Sequence, residues 1–156
     1  MFNIALLWPQ IPPNTGNIIR LCANIGCHLH LILPMGFSLQ DKQLRRAGLD
    51  YHDLTHITQH QNFDAFMRYV QQHQRRPLLC TSKAGQRYDH VTFQASDTLL
   101  FGPETIEIPQ TIMSMIPEKD RLRIPMQAGA RCLNLANAVS VIAYEAWRQM
   151  DFIQGK

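Results

Sequence analysis

The sequence lacks the features that mark membrane proteins, disulfide-stabilised proteins and disordered chains. No apolar run approaches the roughly 20 residues that a membrane-spanning helix needs, so we expect no membrane partner. The four cysteines form no Cys-x-x-Cys pair, which argues against both a disulfide framework and a structural zinc site. Charged residues make up only 17% of the chain against 46% hydrophobic residues, which argues against disorder.

Several enzyme signatures are missing as well. The glycine-rich fingerprint of dinucleotide-binding proteins, the phosphate-binding P-loop and the Gly-x-Ser-x-Gly turn of hydrolases are all absent. An NAD enzyme, a P-loop phosphotransferase and an α/β-hydrolase are therefore not expected. Among the seven histidines, His28 and His30 would share one face of a strand, but no carboxylate or cysteine partner is placed convincingly. We therefore expect no metal.

What is present is an alternation of strand-like and helix-like segments along 156 residues, which we interpret as a single domain, residues 1–156. This alternation predicts an α/β fold with a mostly parallel sheet covered by helices on both faces. The first residues lack a basic leader and are typical of a strand, so we expect a cytoplasmic protein. The clearest helices are predicted at Asn62–His73 and Asn134–Met150. The predicted strands are Asn3–Trp8, His28–Leu33, Leu54–Thr58, Leu78–Thr81, Thr98–Phe101 and Arg121–Ile124.

The segment Asn14–Arg20 is the most informative part of the chain. It follows the first predicted strand and a proline-rich turn, and it opens a helix for which Gly26 offers a stop. One face of that helix carries Asn17, Arg20 and Asn24, a set of polar groups that folding alone rarely requires. A solvated face with a capping asparagine explains this segment equally well when it is taken alone.

Strand endings are the next place to search, because ligands of parallel α/β sheets bind outside the carboxyl ends of the strands. Three endings stand out, namely Leu79–Ser82, Leu100–Glu104 and Leu122–Met126. A proline in the second and third fixes an abrupt turn that can expose backbone groups to a heterocycle. An ordinary turn explains each ending equally well on its own.

The net charge of +3 is mild, but the basic residues are clustered. Such clusters suit a polyanionic partner contacted on one face, although each also fits an ordinary solvated surface. The clusters are Lys42, Arg45 and Arg46; Arg75 and Arg76; Lys83 and Arg87; and Arg121 and Arg123.

Taken together, three segments resemble the motifs of the SPOUT-class RNA methyltransferases, which carry a trefoil knot. The closest likeness is to the small single-domain enzymes that methylate the ribose 2′-hydroxyl of the tRNA wobble nucleoside, cytidine or modified uridine. Two further segments, Lys42–His52 and Tyr144–Gln149, also look like that subgroup, so the likeness covers nearly the whole chain. The three motif segments are Asn14–Asn24, Phe101–Thr105, and Ile124–Met126 leading into Leu133–Val139.

The resemblance implies S-adenosylmethionine as cofactor, S-adenosylhomocysteine as product and the tRNA anticodon stem-loop as partner. It also implies a deep trefoil knot in the C-terminal part of the chain. A homodimer is implied as well, with the last helix and the first motif pairing across the interface. The residues that would line the cofactor pocket, largely through backbone atoms, are Cys80, Gly102, Ile124, Cys132 and Leu133.

Arg20 matches the position of the family's proposed catalytic residue. A guanidinium stays protonated in almost any environment, so gripping a phosphate beside the target ribose ranks ahead of abstracting a proton. Asn14 and Asn134 are expected to brace the loops, and Glu104 to orient a neighbouring backbone or Arg20. A core tyrosine is as good an explanation of Tyr144 as an RNA contact. The expected RNA contacts are Arg45, Arg46 and Tyr144.

The chain departs from the family pattern in its second and third motifs. Ile106 and Glu107 stand where the family usually has Arg-Gly, and Cys132 stands where the subgroup usually has serine. Glu107 would be strained at a positive φ, and its carboxylate would lie near RNA phosphates. The first interpretation is an active enzyme with a re-tuned second motif. The alternatives are a weakened relative that binds RNA, a ribosomal RNA methyltransferase, and an interaction module without cofactor.

Overall fold

The computed structural model describes residues 1–40 and 56–156, which form an α/β sandwich around a seven-stranded sheet. The strands are β1 Asn3–Leu7, β2 His28–Ile32, β3 Ile57–His60, β4 Arg76–Cys80, β5 Gln86–Arg87, β6 Asp97–Phe101 and β7 Arg121–Arg123. The helices are α1 Pro12–Ile25, α2 Phe63–Gln72, α3 Gln110–Ser114 and α4 Leu135–Gln149, with 3-10 turns at Tyr88–His90 and Glu118–Asp120. Every described pairing is parallel, in the strand order β3-β2-β1-β6-β4-β7-β5.

Helices cover both faces of this sheet, because successive side chains of each strand point in opposite directions. Ile4 and Leu6 of β1 pack in the same core cluster as the apolar faces of α1 and α4. Ala5 and Leu7 pack on the opposite face with residues of α2 and α3. The predicted α/β class and the mostly parallel sheet are therefore confirmed.

Helix α1 begins two residues before Asn14, at Pro12, because prolines suit the first turn of a helix, where their missing N–H is not needed. The residue before the helix is Ile11, which makes no side-chain cap, so the capping interpretation of Asn14 is wrong. Gly26 ends the helix as predicted, at a left-handed φ of 72° from which its N–H reaches Cys22 O.

The short elements β5 and α3 were not predicted. Two and five residues are too few to show a strand or helix periodicity. The strand predicted at Leu54–Thr58 lies at Ile57–His60 in the described part of the chain. Arg45 and Arg46, the predicted RNA contacts, lie outside the described residues.

Arg75 and Arg76 lie at the amino end of β4, at the opposite edge of the sheet from the strand endings, where they hold the structure together. Arg75 donates to the carbonyl oxygens of Met1, Ala95 and Asp97. Arg76 makes two bonds of 2.8 Å to the fully buried carboxylate of Asp97. Both guanidinium groups have internal partners, which favours a structural role for this cluster over a polyanion contact.

Candidate functional site

Two adjoining cavities open at the carboxyl ends of β4, β6 and β7, where the three predicted strand endings meet. The larger has a volume of about 500 Å³ and the smaller about 110 Å³. The two cavities share Cys80, Thr81, Ser82, Phe101, Cys132, Leu133 and Ala138.

No helix in residues 1–40 or 56–156 is long and apolar enough to cross a membrane.

The five residues predicted to bind a cofactor all line these cavities. Cys80, Cys132 and Leu133 contribute to both cavities, whereas Gly102 lines the larger and Ile124 the smaller. The wall of the smaller cavity is almost entirely apolar. The site therefore offers apolar walls together with the backbone groups at the strand endings, the chemistry that a neutral heterocycle needs.

Gly102 lies close against the side chain of Ile108 in this site. A Cβ atom placed on it would lie 2.6 Å from Cγ1 and 2.7 Å from Cδ1 of Ile108. Glycine therefore lets the side chain of Ile108 pack directly against the strand ending. Any larger residue would push Ile108 away and change the shape of the larger cavity.

Cys80 serves as a wall of the cavity and not as a nucleophile. Burial raises the pKa of its thiol well above the ordinary value, so the reactive thiolate is suppressed. A thiol held neutral in this way can lie beside an electrophilic ligand without attacking it.

Glu104 holds the turn that leads into α1. Its Oε2 accepts the N–H of Gln10 at 2.9 Å, and its Oε1 accepts the N–H of Ile11 at 3.2 Å. The same Oε1 accepts Nδ2 of Asn14 at 3.2 Å. Glu104 was expected to orient either a neighbouring backbone segment or Arg20. The structure supports the first role, and Glu104 also orients the amide of Asn14.

Asn14 and Asn134 extend this network from the first motif to the third. Asn134 Nδ2 donates to Asn14 Oδ1 at 2.9 Å, across 120 positions of sequence. Asn134 Oδ1 also caps α4 by accepting the N–H of Ala136 at 2.9 Å. The side chains of Glu104, Asn14 and Asn134 thus join all three motif segments at the rim of the larger cavity.

Arg20 and Tyr144 lie apart from the cavities, on exposed parts of α1 and α4. Arg20 makes no ion pair with any residue that the structure describes. Tyr144 is 43% exposed and packs edge-to-face on Trp147, so it is not a core residue. Both side chains are therefore accessible from solvent.

An ion pair between Lys83 and Glu107 at the larger cavity was missed by sequence reasoning. Lys83 Nζ lies 2.7 Å from Glu107 Oε2, and both residues line the cavity. Glu107 is not among the described residues with positive φ, so the strain expected there is wrong. The sequence did contain a signal for this pair. Lys83 and Glu107 follow the ends of β4 and β6, and ligands of parallel sheets bind beyond the strand ends.

The chain matches the model of the SpoU rRNA Methylase family over residues 1–144. The tRNA (cytidine(34)-2'-O)-methyltransferase of Yersinia pestis is 52% identical to it over 155 residues, covering 97% of this chain and 96% of that protein. The protein of the same name from Escherichia coli (strain K12) is 50% identical over 152 residues, covering 97% of this chain and 96% of that protein.

Solved structures share the fold. One described as "Structural insights into the 2-OH methylation of C/U34 on tRNA" has a TM-score of 0.89 and 39% identity, covering 97% of both chains. The SpoU methyltransferase AviRb from Streptomyces viridochromogenes in complex with the cofactor AdoMet is 24% identical, with a TM-score of 0.84, over 99% of this chain and 61% of that one. This last likeness is one of fold alone. The motif resemblance is confirmed, and the chain belongs to the SpoU rRNA methylase family.

Proposed function

We propose that this protein transfers a methyl group from S-adenosylmethionine to the ribose 2′-hydroxyl of the wobble nucleoside, cytidine or modified uridine, in the anticodon loop of tRNA. The observation that carries the proposal is the joining of three motif segments at one pair of cavities by Glu104, Asn14 and Asn134. Relatives half identical over nearly their whole lengths are tRNA (cytidine(34)-2'-O)-methyltransferases, which supports this substrate.

The residues present fit S-adenosylmethionine, which supplies an activated methyl group when bound. The larger cavity, about 500 Å³, lies within the roughly 300–1,000 Å³ typical of sites for ligands of this size. The apolar lining of the smaller cavity suits adenine. Cys80, Gly102, Ile124, Cys132 and Leu133 would hold the cofactor; no metal enters the proposal.

Arg20 acts in this proposal as the grip on a phosphate next to the target ribose. The 2′-oxygen must lose its proton as it takes the methyl group, and a guanidinium is already fully protonated. A bidentate contact to phosphate fits both the chemistry and the exposed position of Arg20 on α1. Because Arg20 lies apart from the cavities of its own chain, it would serve a cofactor bound in the other subunit of the proposed dimer. Tyr144, with Arg45 and Arg46, is assigned to further RNA contacts.

The remaining family features are proposed with this function. Residues 1–156 form one domain, the C-terminal part is threaded as a deep trefoil knot, and the protein acts as a homodimer in the cytoplasm, where tRNA is found. Val141, an exposed apolar residue on α4, supports the dimer.

A ribosomal RNA substrate is the second candidate, because the family model is that of SpoU rRNA methylases. The weakened, RNA-binding alternative loses its main support. Glu107 is free of the strain expected for it, and its carboxylate is neutralised by Lys83.

Three arginine variants test the role of Arg20 in methyl transfer to tRNA. Arg20→Ala should lower kcat/KM by about 100-fold or more, the scale of losing a positioned charged contact. Arg20→Lys should keep part of the activity, because a point charge still attracts phosphate. Arg68→Ala, at an exposed arginine on α2, is the matched control and should behave as wild type. Full activity in Arg20→Ala would remove Arg20 from the mechanism.

A further inference from the structure

The charges around the cavities are unevenly distributed. Among the lining residues that the structure describes, the charged ones are Lys83, Glu104 and Glu107, all in the larger cavity. Glu104 is already committed to three donors, the backbone N–H groups of Gln10 and Ile11 and the amide of Asn14. The charges available to a ligand are therefore one ammonium and one carboxylate, held side by side.

Lys83 and Glu107 reach this position from two different loops. Lys83 follows the end of β4 and Glu107 follows the end of β6, and their 2.7 Å contact spans the cavity between the loops. Their side chains are 55% and 80% exposed. Such an exposed pair is weak, so separating the two groups to admit a ligand costs little.

We propose that Lys83 and Glu107 form a subsite for the zwitterionic amino-acid end of S-adenosylmethionine and of its product. The Lys83 ammonium takes the ligand's α-carboxylate, and the Glu107 carboxylate takes its α-ammonium. The apolar smaller cavity is left for the adenosine part. This inference rests on the proposed function and names a contact within the same site.

The subsite also explains the unusual second motif of this chain. Glycine, the family's usual residue at position 107, has no side chain with which to bind an ammonium group. Glu107 adds an acidic partner for the ligand's ammonium group, and Lys83 balances that carboxylate while the site is empty. Glu107 is therefore a recognition residue acquired without backbone strain.

Two product-like ligands isolate the amino-acid end. S-adenosylhomocysteine and 5′-methylthioadenosine are both neutral at sulfur and share adenosine, but the second lacks the amino-acid group. We would measure the Kd of each by titration calorimetry for wild type, Lys83→Met and Glu107→Gln. Each variant should weaken S-adenosylhomocysteine about fivefold, the scale of one half-exposed ion pair, and leave methylthioadenosine unchanged.

A charge swap distinguishes an ion pair that binds the ligand from one that only joins the two loops. Lys83→Glu combined with Glu107→Lys rebuilds the ion pair but presents each charge to the wrong end of the ligand, so the loss for S-adenosylhomocysteine should persist. Recovery to wild-type affinity in the swap would show that the pair only joins the loops and would overturn the inference. Unchanged affinity in both single variants, or an equal loss for both ligands, would overturn it as well. A wild-type protein that binds neither ligand would instead contradict the proposed function.

Discussion

At the scale of single residues, the site depends on amide side chains whose nitrogen donates one hydrogen bond while the oxygen accepts another. Asn14 donates through Nδ2 to Glu104 and accepts through Oδ1 from Asn134, and only an amide can do both in one place. The side chain of Asn14 is buried, so the loss of either bond leaves a buried polar atom without its partner. This explains an asparagine within a helix, where its intrinsic propensity is poor.

Asn14→Asp tests this account with almost no change of shape. The new carboxylate would face the carboxylate of Glu104 at the position of the present 3.2 Å hydrogen bond. We expect a loss of about 1–3 kcal/mol in the free energy of unfolding, measured in urea, and a parallel loss of methyl transfer. Asn17→Asp, the same change at an exposed site one turn later, should leave the stability unchanged. Equal stability of both variants would contradict the role of the network.

At the scale of secondary structure elements, the sequence predicts α1, α4 and the strand endings well because each carries its signal locally. Apolar spacing, proline and glycine mark their limits within a few residues. The contacts that complete the site are long-range and have no such signal. Asn134 reaches Asn14 across 120 positions and Lys83 reaches Glu107 across 24, so only the folded sheet brings them together.

A histidine cluster joins β1, β2 and β3 and couples the stability of these elements to pH. Asn3 Nδ2 lies 2.9 Å from His30 Nε2, and His30 Nδ1 lies 3.0 Å from His60 Nε2. With the amide as donor, His30 is neutral and carries its proton on Nδ1. Burial first, then His28, His60, Arg75 and His73, lower the pKa of His30 to about 3. A proton on His30 therefore opposes this packing.

The free energy of unfolding should fall in acid, because His30 binds a proton in the unfolded chain but not in the folded chain. Unfolded histidine titrates near 6.5, so the contribution of His30 is full above that pH and is lost as the pH falls towards about 3. The slope from this residue is up to about 1.4 kcal/mol per pH unit. Urea unfolding at about pH 7.5 and about pH 5 should show it. His30→Gln, which cannot titrate, should have a flatter profile; equal slopes would argue against the buried neutral histidine.

At the scale of the whole molecule, the fold gathers its chemistry at one edge of the sheet and leaves an apolar surface on α4. Val141 and Tyr144 are 38% and 43% exposed, on the same side of the helix. The opposite, amino edge is tied together by Arg75, Arg76 and Asp97. The proposed knot and dimer could not be predicted from composition or periodicity. Those patterns carry no information on how the chain is threaded or on a second chain.

The proposed dimer gives a prediction for mass in solution. Wild type should have the mass of a dimer by light scattering at micromolar concentration, and Val141→Glu should shift it towards the monomer, because a charge would be buried at the interface. Met115→Glu is the matched control. Met115 is 48% exposed beside α3 on the opposite face of the sheet, so the dimer should persist. A monomeric wild type would contradict the dimer.

The most direct test of the central proposal is the position of the methyl group in the product. Wild-type protein is incubated with labelled S-adenosylmethionine and total tRNA that lacks wobble ribose methylation, with ribosomal RNA in a parallel reaction, and the labelled nucleosides are mapped. The account predicts label in a 2′-O-methylated wobble nucleoside of tRNA, and no such label with Arg20→Ala. Label in ribosomal RNA instead, or none from a folded protein that still binds tRNA, would contradict it.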